Sequence, residues 1–304
     1  RTQDSGLRTQ DSGLRTQEKR GNLAKKIKLL AMVFWVLVST GGYSQYSVSG
    51  FTMFSTLSTA NKNLAKNGIT VLPNGYLVMD EDLDLNANAQ IIVQQGNAPG
   101  GITAPPYTFG GRLILQKKLT CSAGVWQGIR VYGIPNAPHF MIDPDESITN
   151  DIVAYMGLVN EDHGFVDIQE GTIIEKAKHG IWSTGGGIVQ SFVGPQASKP
   201  QFIDCKEGIY IEQSKQNPSA TRINRCNFIW TNPNLHGYAD YYYFVHVSII
   251  ESKDIRLGGC DIAGEYGRGN KYNTDSKGTG VLVTGYESTF SIGEAGNTFQ
   301  NAAG

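Results

Sequence analysis

The chain has 304 residues and a formal net charge of -1; 17% of its residues are charged and 37 are glycine. Low charge with abundant glycine suits a β protein with many tight turns. A near-neutral balance, without a basic tract interleaved with aromatics, gives no electrostatic reason to expect binding to nucleic acid or to an anionic membrane.

A polar heptad, Arg-Thr-Gln-Asp-Ser-Gly-Leu, fills 1–7 and 8–14 and begins again at 15–17. Such low-complexity sequence cannot bury enough surface to order itself, so 1–24 is excluded from the fold as non-native. Residues 25–44 read as a secretory signal peptide. Lys25, Lys26 and Lys28 form its basic region, and the apolar run Leu29–Val38 follows. That run is about half of the roughly 20 residues that span a bilayer. Gly42 and Ser44 put small residues where a signal peptidase cuts, so the mature chain is expected to start at Gln45. A membrane anchor is the disfavoured alternative.

Residues 45–68 are polar with scattered apolar positions and read as an irregular lead-in or cap. Ile69–Val71 and Tyr76–Val78 are expected strands around the turn Pro73-Asn74-Gly75. From Asp82 to Asn88 apolar and polar residues alternate, so Leu83 and Leu85 face one side and the acids the other. Ala89–Val93 is a strand, Gly96–Gly111 a Gly/Pro-rich loop, and Arg112–Leu115 a strand again. Leu119-Thr120-Cys121 leads to Trp126–Gly133; three prolines then mark 134–157 as an insertion. Phe165–Ile168, Thr172–Ile174 and Gly180–Trp182 are three short strands making one coil. Gln201–Ile203 and Gly208–Ile211 repeat its last two parts, aligning Ala177 with Cys205 at a tight corner. His246–Ile250, Asp254–Leu257 and Cys260–Ile262 form another coil, and Gly280–Gln300 begins a further one. No cap follows Asn297–Asn301, so further coils are expected beyond Gly304.

One phrase ties these segments together: Gly128-Ile129-Arg130-Val131, Gly180-Ile181-Trp182-Ser183, Gly208-Ile209-Tyr210-Ile211 and Gly280-Val281-Leu282-Val283. Its spacings, about 52, 28 and 72 residues, are near multiples of roughly 24 to 28, a period typical of repeat architectures. Each phrase alternates as a strand does. The fold expected over 69–304 is therefore an all-β parallel solenoid.

Cys121, Cys205, Cys226 and Cys260 lack metal-binding spacing. Cys226-Asn227-Phe228 and Cys260-Asp261-Ile262 look like one position on different coils. Buried, stacked thiols are the favoured reading, with a disulfide and a metal site as alternatives.

The three-strand coils, the small corner residues and Ile174–Ile181 resemble right-handed parallel β-helix proteins. Leu119–Cys121 followed by Trp126–Gly133, with Gln45 after the cleavage site, is similar to large secreted proteins of Bacteroidota. That resemblance implies right-handed coils over 69–304 and export, often with a type IX secretion sorting domain. It also raises pectate-lyase-like and polygalacturonase-like chemistry, which uses a base beside Ca²⁺-held carboxylates or several carboxylates as acid and base. Asn273-Thr274-Asp275 matches the first polygalacturonase-like motif, but the paired Asp-Asp and the later His and Arg motifs do not appear in the 29 residues that follow it.

Asp80, Glu81, Asp82 and Asp84, and separately Asp143-Pro144-Asp145-Glu146, could supply oxygens to Ca²⁺; solvated, outward acids are the favoured reading. His163, His179, His236 and His246 fall on different coils in no triad or zinc order and read as surface or corner residues. Trp182 and Tyr210 are the candidate glycan-stacking residues. Alternation turns Ile181 and Ile209 inward and these rings outward, about one strand spacing (~4.8 Å) apart on neighbouring coils. Arg130 and Leu282 take the same place in the other phrases. A stabilising cross-strand pair, or a cover from Tyr241–Phe244, is the alternative.

The expected function is a non-catalytic secreted or cell-surface scaffold, adhesive or glycan-binding, with no cofactor, catalytic or metal residues. Its partners would be a polysaccharide or a host or neighbouring cell surface. The alternative is a polysaccharide lyase or glycoside hydrolase.

Overall fold

A computed structural model describes residues 45–96, 109–135, 137, 139, 162–191, 193–194, 196–215, 219–236, 245–264, 279–285, 288, 290–292 and 298–300. The expected low-complexity and signal segments lie outside these residues, as do Asp143–Glu146, Tyr241–Phe244 and Asp275. The described residues all fall within the compact unit Gln45–Gly304.

The described residues of this unit are mostly β, and every strand pairing among them is parallel. Its strands form three sheets, visited in rotation. Sheet A holds Tyr46–Val48, Ile69–Val71, Gln90–Val93, Trp126–Tyr132, Ala177–Thr184, Glu207–Glu212, Val245–Ile250 and Thr279–Thr284. Sheet B holds Phe51–Met53, Tyr76–Met79, Arg112–Leu115, Phe165–Ile168, Ile188–Ser191, Arg222–Asn224, Ile255–Gly258 and Phe290–Ile292. Sheet C holds Leu83–Asp84, Lys118–Thr120, Ile173–Glu175, Gln201–Ile203, Asn227–Trp230, Asp261–Gly264 and Thr298–Gln300. One passage through A, B and C is a coil, and the arrangement is solenoid-like.

The glycine phrase marks sheet A. Ile129, Ile181 and Ile209 pair in register, as do Val247 and Val281 further on. Ile129, Ile181, Ile209 and Val247 are buried in one apolar core, with Ile174, Phe202 and Phe228 from sheet C and Leu113, Val166 and Val189 from sheet B. At roughly 25 cal/mol per Å² of apolar area removed from water, this shared interior is the main favourable term in folding. No coil could supply it alone, since each strand's inner row packs on the rows above and below.

The corners are built by single residues in the left-handed conformation, stacked from coil to coil. Gly185, Gln213, Glu251 and Gly285 turn sheet A into B; Arg225 and Gly259 turn B into C; Lys176 and Asp204 turn C into A. For a residue with a Cβ this conformation costs roughly 1–2 kcal/mol. It persists here because hydrogen bonds to the next coil fix it: Lys176 N donates to Ile203 O (2.9 Å), Asp204 N to Ile229 O (2.9 Å) and Arg225 N to Gly258 O (2.7 Å). Ala177 and Cys205 follow the C-to-A turn at matching, buried positions, but the tight turn is made by Lys176 and Asp204 before them.

The irregular lead-in expected over 45–68 is regular. Tyr46–Val48 and Phe51–Met53 join sheets A and B, and a helix, α1 (Thr59–Ala65), follows where the other coils enter sheet C. Ser58 starts α1 by accepting the Asn61 amide. Phe54 and Ala65 anchor this segment in the core. Lys62 pairs with Glu81, and Asn86 N donates to Lys66 O (2.8 Å).

A candidate binding face on sheet A

Trp182 and Tyr210 lie on adjacent strands in direct register, with Arg130 on the strand before and Ser248 on the strand after. Their neighbours Ile181, Ser183, Ile209 and Ile211 are buried, so the two rings stand on the outer face, half-buried. The rings are not stacked at the strand spacing. Their centroids lie 5.7 Å apart with planes at 89°, an edge-to-face pair. This arrangement suits the opposed charges of ring face and ring edge.

The cause of the tilt is Glu212. It lies two residues after Tyr210, on the same face, and its carboxylate accepts from both rings: from Trp182 Nε1 at 2.9 Å and from the Tyr210 hydroxyl at 3.2 Å. Burial, and then the negative charge of Glu212, pushes the Tyr210 phenol up to about 12. The Arg130 guanidinium sits 4.0 Å from the Trp182 ring centre and 4.7 Å from that of Tyr132. Its Nε is buried without a hydrogen-bond partner. The His179 ring lies 5.0 Å from Trp182 and 5.4 Å from Tyr210, and its Nδ1 is 2.6 Å from Glu207 Oε2. The face thus offers aromatic edges, two carboxylates, a guanidinium and an imidazole across three consecutive coils. One side of the Trp182 ring is already taken by Arg130.

Alternation brings Trp182, Tyr210 and Arg130 together, as expected. Glu212 and Tyr132 also belong to the face; their signal is the i, i+2 step from Tyr210 and Arg130. The next coil closes the face, because Ser248 is buried.

The acidic residues at Asp80–Asp84 are committed within the protein. Asp80 accepts from Ser55 N and Oγ (2.8 and 2.5 Å), Asp82 from Lys118 N (3.0 Å), and Asp84 from Ser122 N and Oγ (2.7 and 2.5 Å). The Ser122 bonds hold the Asp84 carboxyl below its ordinary range. Among the described residues no group of three or more His, Cys, Asp or Glu is placed to hold a metal.

Two histidines expected at the surface or at corners are buried. His163 is 1% exposed and packs at right angles on His139, ring centres 4.4 Å apart. His246 is 2% exposed and lies 4.2 Å from the Trp230 ring. His246 is buried because it occupies, in its strand, the position that Gly208 holds in the preceding one.

A second outward row, on sheet B, is also buried: Asp167, Gln190 and Arg222 in register. Burial pushes the Asp167 carboxyl up to about 6 against a hydrogen bond from Gln169.

Comparison with known proteins finds no matching family, no matching curated protein and no matching solved structure.

Proposed function

We propose that this solenoid is a right-handed parallel β-helix, exported by a signal peptide at 25–44 and similar to the large secreted, type IX-sorted proteins of Bacteroidota. It serves as a non-catalytic scaffold, secreted or at the outer cell surface. The outer face of sheet A contacts glycans of a polysaccharide or of a host or neighbouring cell.

The observation that supports this reading is the clustering of Trp182, Tyr210, Arg130, His179, Glu207 and Glu212 on one face of three coils. Sugars are bound by apolar ring contact together with a few fixed polar groups, and this face has both. Glu212 fixes the two rings in advance, which reduces the ordering cost of binding. The test is glycan binding by residues 45–304 and by the double variant Trp182→Ala/Tyr210→Ala. A loss of about tenfold or more, roughly 1.4 kcal/mol, is expected. Unchanged binding removes this face from the reading.

A polysaccharide lyase or glycoside hydrolase is the second reading. The feature that favours it is the row Asp167, Gln190 and Arg222, in register across three strands of sheet B, in which burial raises the Asp167 carboxyl as a general acid requires. Release of unsaturated or reducing ends from polyuronides, lost in Asp167→Asn, would replace the scaffold with this reading.

A further inference from the structure

Cys226 and Cys260 precede the paired residues Asn227 and Asp261 on neighbouring strands of sheet C. Each follows a residue in the left-handed conformation, Arg225 and Gly259, so the two corners have the same shape. The backbones touch here, with Asp261 N donating to Cys226 O at 2.9 Å. Both side chains are buried in the core and take the same course, each Sγ lying 3.6 Å from the carbonyl oxygen two residues back, Asn224 O and Gly258 O. Cys260 Sγ also reaches back to Ile223 O (3.5 Å), on the coil that carries Cys226.

Neighbouring strands run about 4.8 Å apart, inside the Cα separation of roughly 4.4–6.8 Å that disulfides use. With parallel Cα–Cβ bonds, the Cβ atoms need to approach by something on the order of 1 Å to reach disulfide spacing. The other cysteines have no such neighbour. Leu85 N donates to Thr120 O, which places Leu85 beside Cys121, and Lys206 N donates to Ala177 O, which places Ala177 beside Cys205.

From this geometry we infer that Cys226 and Cys260 form an oxidisable pair, a disulfide site that staples two consecutive coils through their B-to-C corners. The oxidant is a small-molecule or protein disulfide. The Cys260 thiol gives up its proton, and its thiolate attacks one sulfur of the oxidant. The oxidant's S–S bond breaks, one thiolate leaves, and a mixed disulfide forms on Cys260. Cys226 then loses its proton and attacks the Cys260 sulfur, expelling the second thiolate. The two departing thiolates take up the two protons, and two electrons pass from the pair to the oxidant. The same exchange balances if Cys226 attacks first, and burial, which raises the Cys226 thiol, makes either attack wait on exposure of the pair. The approach that closure demands makes the bond easily reduced again.

The test is disulfide mapping of the full chain, treated with oxidised and reduced glutathione both when folded and during refolding from urea. Refolding exposes the buried thiols to the oxidant. After alkylation and digestion, the expected product is one cross-linked peptide joining Cys226 to Cys260, with Cys121 and Cys205 alkylated. The oxidised protein should melt higher than the reduced one, and Cys226→Ser or Cys260→Ser should abolish that difference. Alkylation of both Cys226 and Cys260 under both regimes overturns the inference. So does a cross-link through Cys121 or Cys205.

Discussion

At Gly180 and Gly208 of the repeated phrase, an aromatic ring and a backbone carbonyl occupy the space a side chain would take. A Cβ on Gly180 would meet the Phe202 ring at 2.7 Å and Gly208 O at 2.4 Å. On Gly208 it would meet the Phe228 ring and His246 O, both at 2.6 Å. Phe202 and Phe228 themselves stack, ring centres 4.9 Å apart. On the next coil the pair changes together: His246 stands at the glycine position and Ile262 at the phenylalanine position. One coil further on, Gly280 and Phe299 take those two positions. Gly208→Ala should therefore destabilise the protein by about 1–3 kcal/mol, the usual cost of overpacking; an unmoved urea midpoint would dismiss the ring as the constraint. His246 carries a second consequence. Burial pushes its pKa, and that of His139, from 6.5 down to about 3, so both are neutral in the native state. Unfolding lets them bind protons below about 6.5, so their contribution is full above that pH and is lost as pH falls toward about 3. Asp167 acts in the opposite sense: its raised pKa favours the native state below 3.8, an effect lost as pH rises through about 6. Between roughly pH 4 and 6 two histidines outweigh one aspartate, so stability should rise with pH. His246→Leu removes one titration and a ring nitrogen with no hydrogen-bond partner. It should flatten that rise in urea midpoints, and an unchanged slope would show that His246 does not titrate as described.

At the scale of single elements, the strands that sequence reveals are those with one dry side. Ile209, Tyr210, Ile211 and Glu212 alternate because sheet A has core on one side and a half-exposed face on the other. Ile188–Ser191 is buried on both sides, so its polar Gln190 and Ser191 disguise a strand that nonetheless pairs in register. Helix α1 is hidden for another reason. It is seven residues long and buries only Ala65, so no apolar stripe develops, and its one local sign is the Ser58 cap. The same logic divides the candidate face. Outward placement of Trp182 and Tyr210 follows from alternation, but the guanidinium over Trp182 depends on a rotamer that spacing does not encode. Glu212 is the part of this face whose role can be isolated. Glu212→Gln keeps an acceptor and removes the charge, so the Tyr210 pKa should fall from about 12 yet stay above 10, because burial is the larger cause. Ultraviolet titration of the phenol measures this. An unchanged midpoint would mean that the carboxylate does not act on Tyr210.

On the scale of the whole described unit, a stack of coils has stability that depends on position. Ala177–Thr184 is paired on both sides, with Trp126–Tyr132 and Glu207–Glu212, whereas Tyr46–Val48 and Phe51–Met53 are the first strands of sheets A and B. Phe51 is 70% exposed, as an end position allows. In such an array each coil is held by its own packing and by its two interfaces, and an end coil has one interface fewer. Hydrogen exchange should therefore order the sheet A and B amides, slowest in 177–184 and fastest in 51–53, with openings well below the global unfolding energy at the end. Ile181→Ala removes contacts with Ile129 and Ile209 together and should cost about 2–5 kcal/mol, as large-to-small core changes do. It should also speed exchange across 126–132 and 207–212. Among the described residues Val48 pairs only with Val71, so the effect of Val48→Ala should be smaller and confined to the first two described coils. Uniform protection from 46 to 212, or a global effect of Val48→Ala equal to that of Ile181→Ala, would mean that the coils unfold as one block. The nearest-neighbour description would then fail.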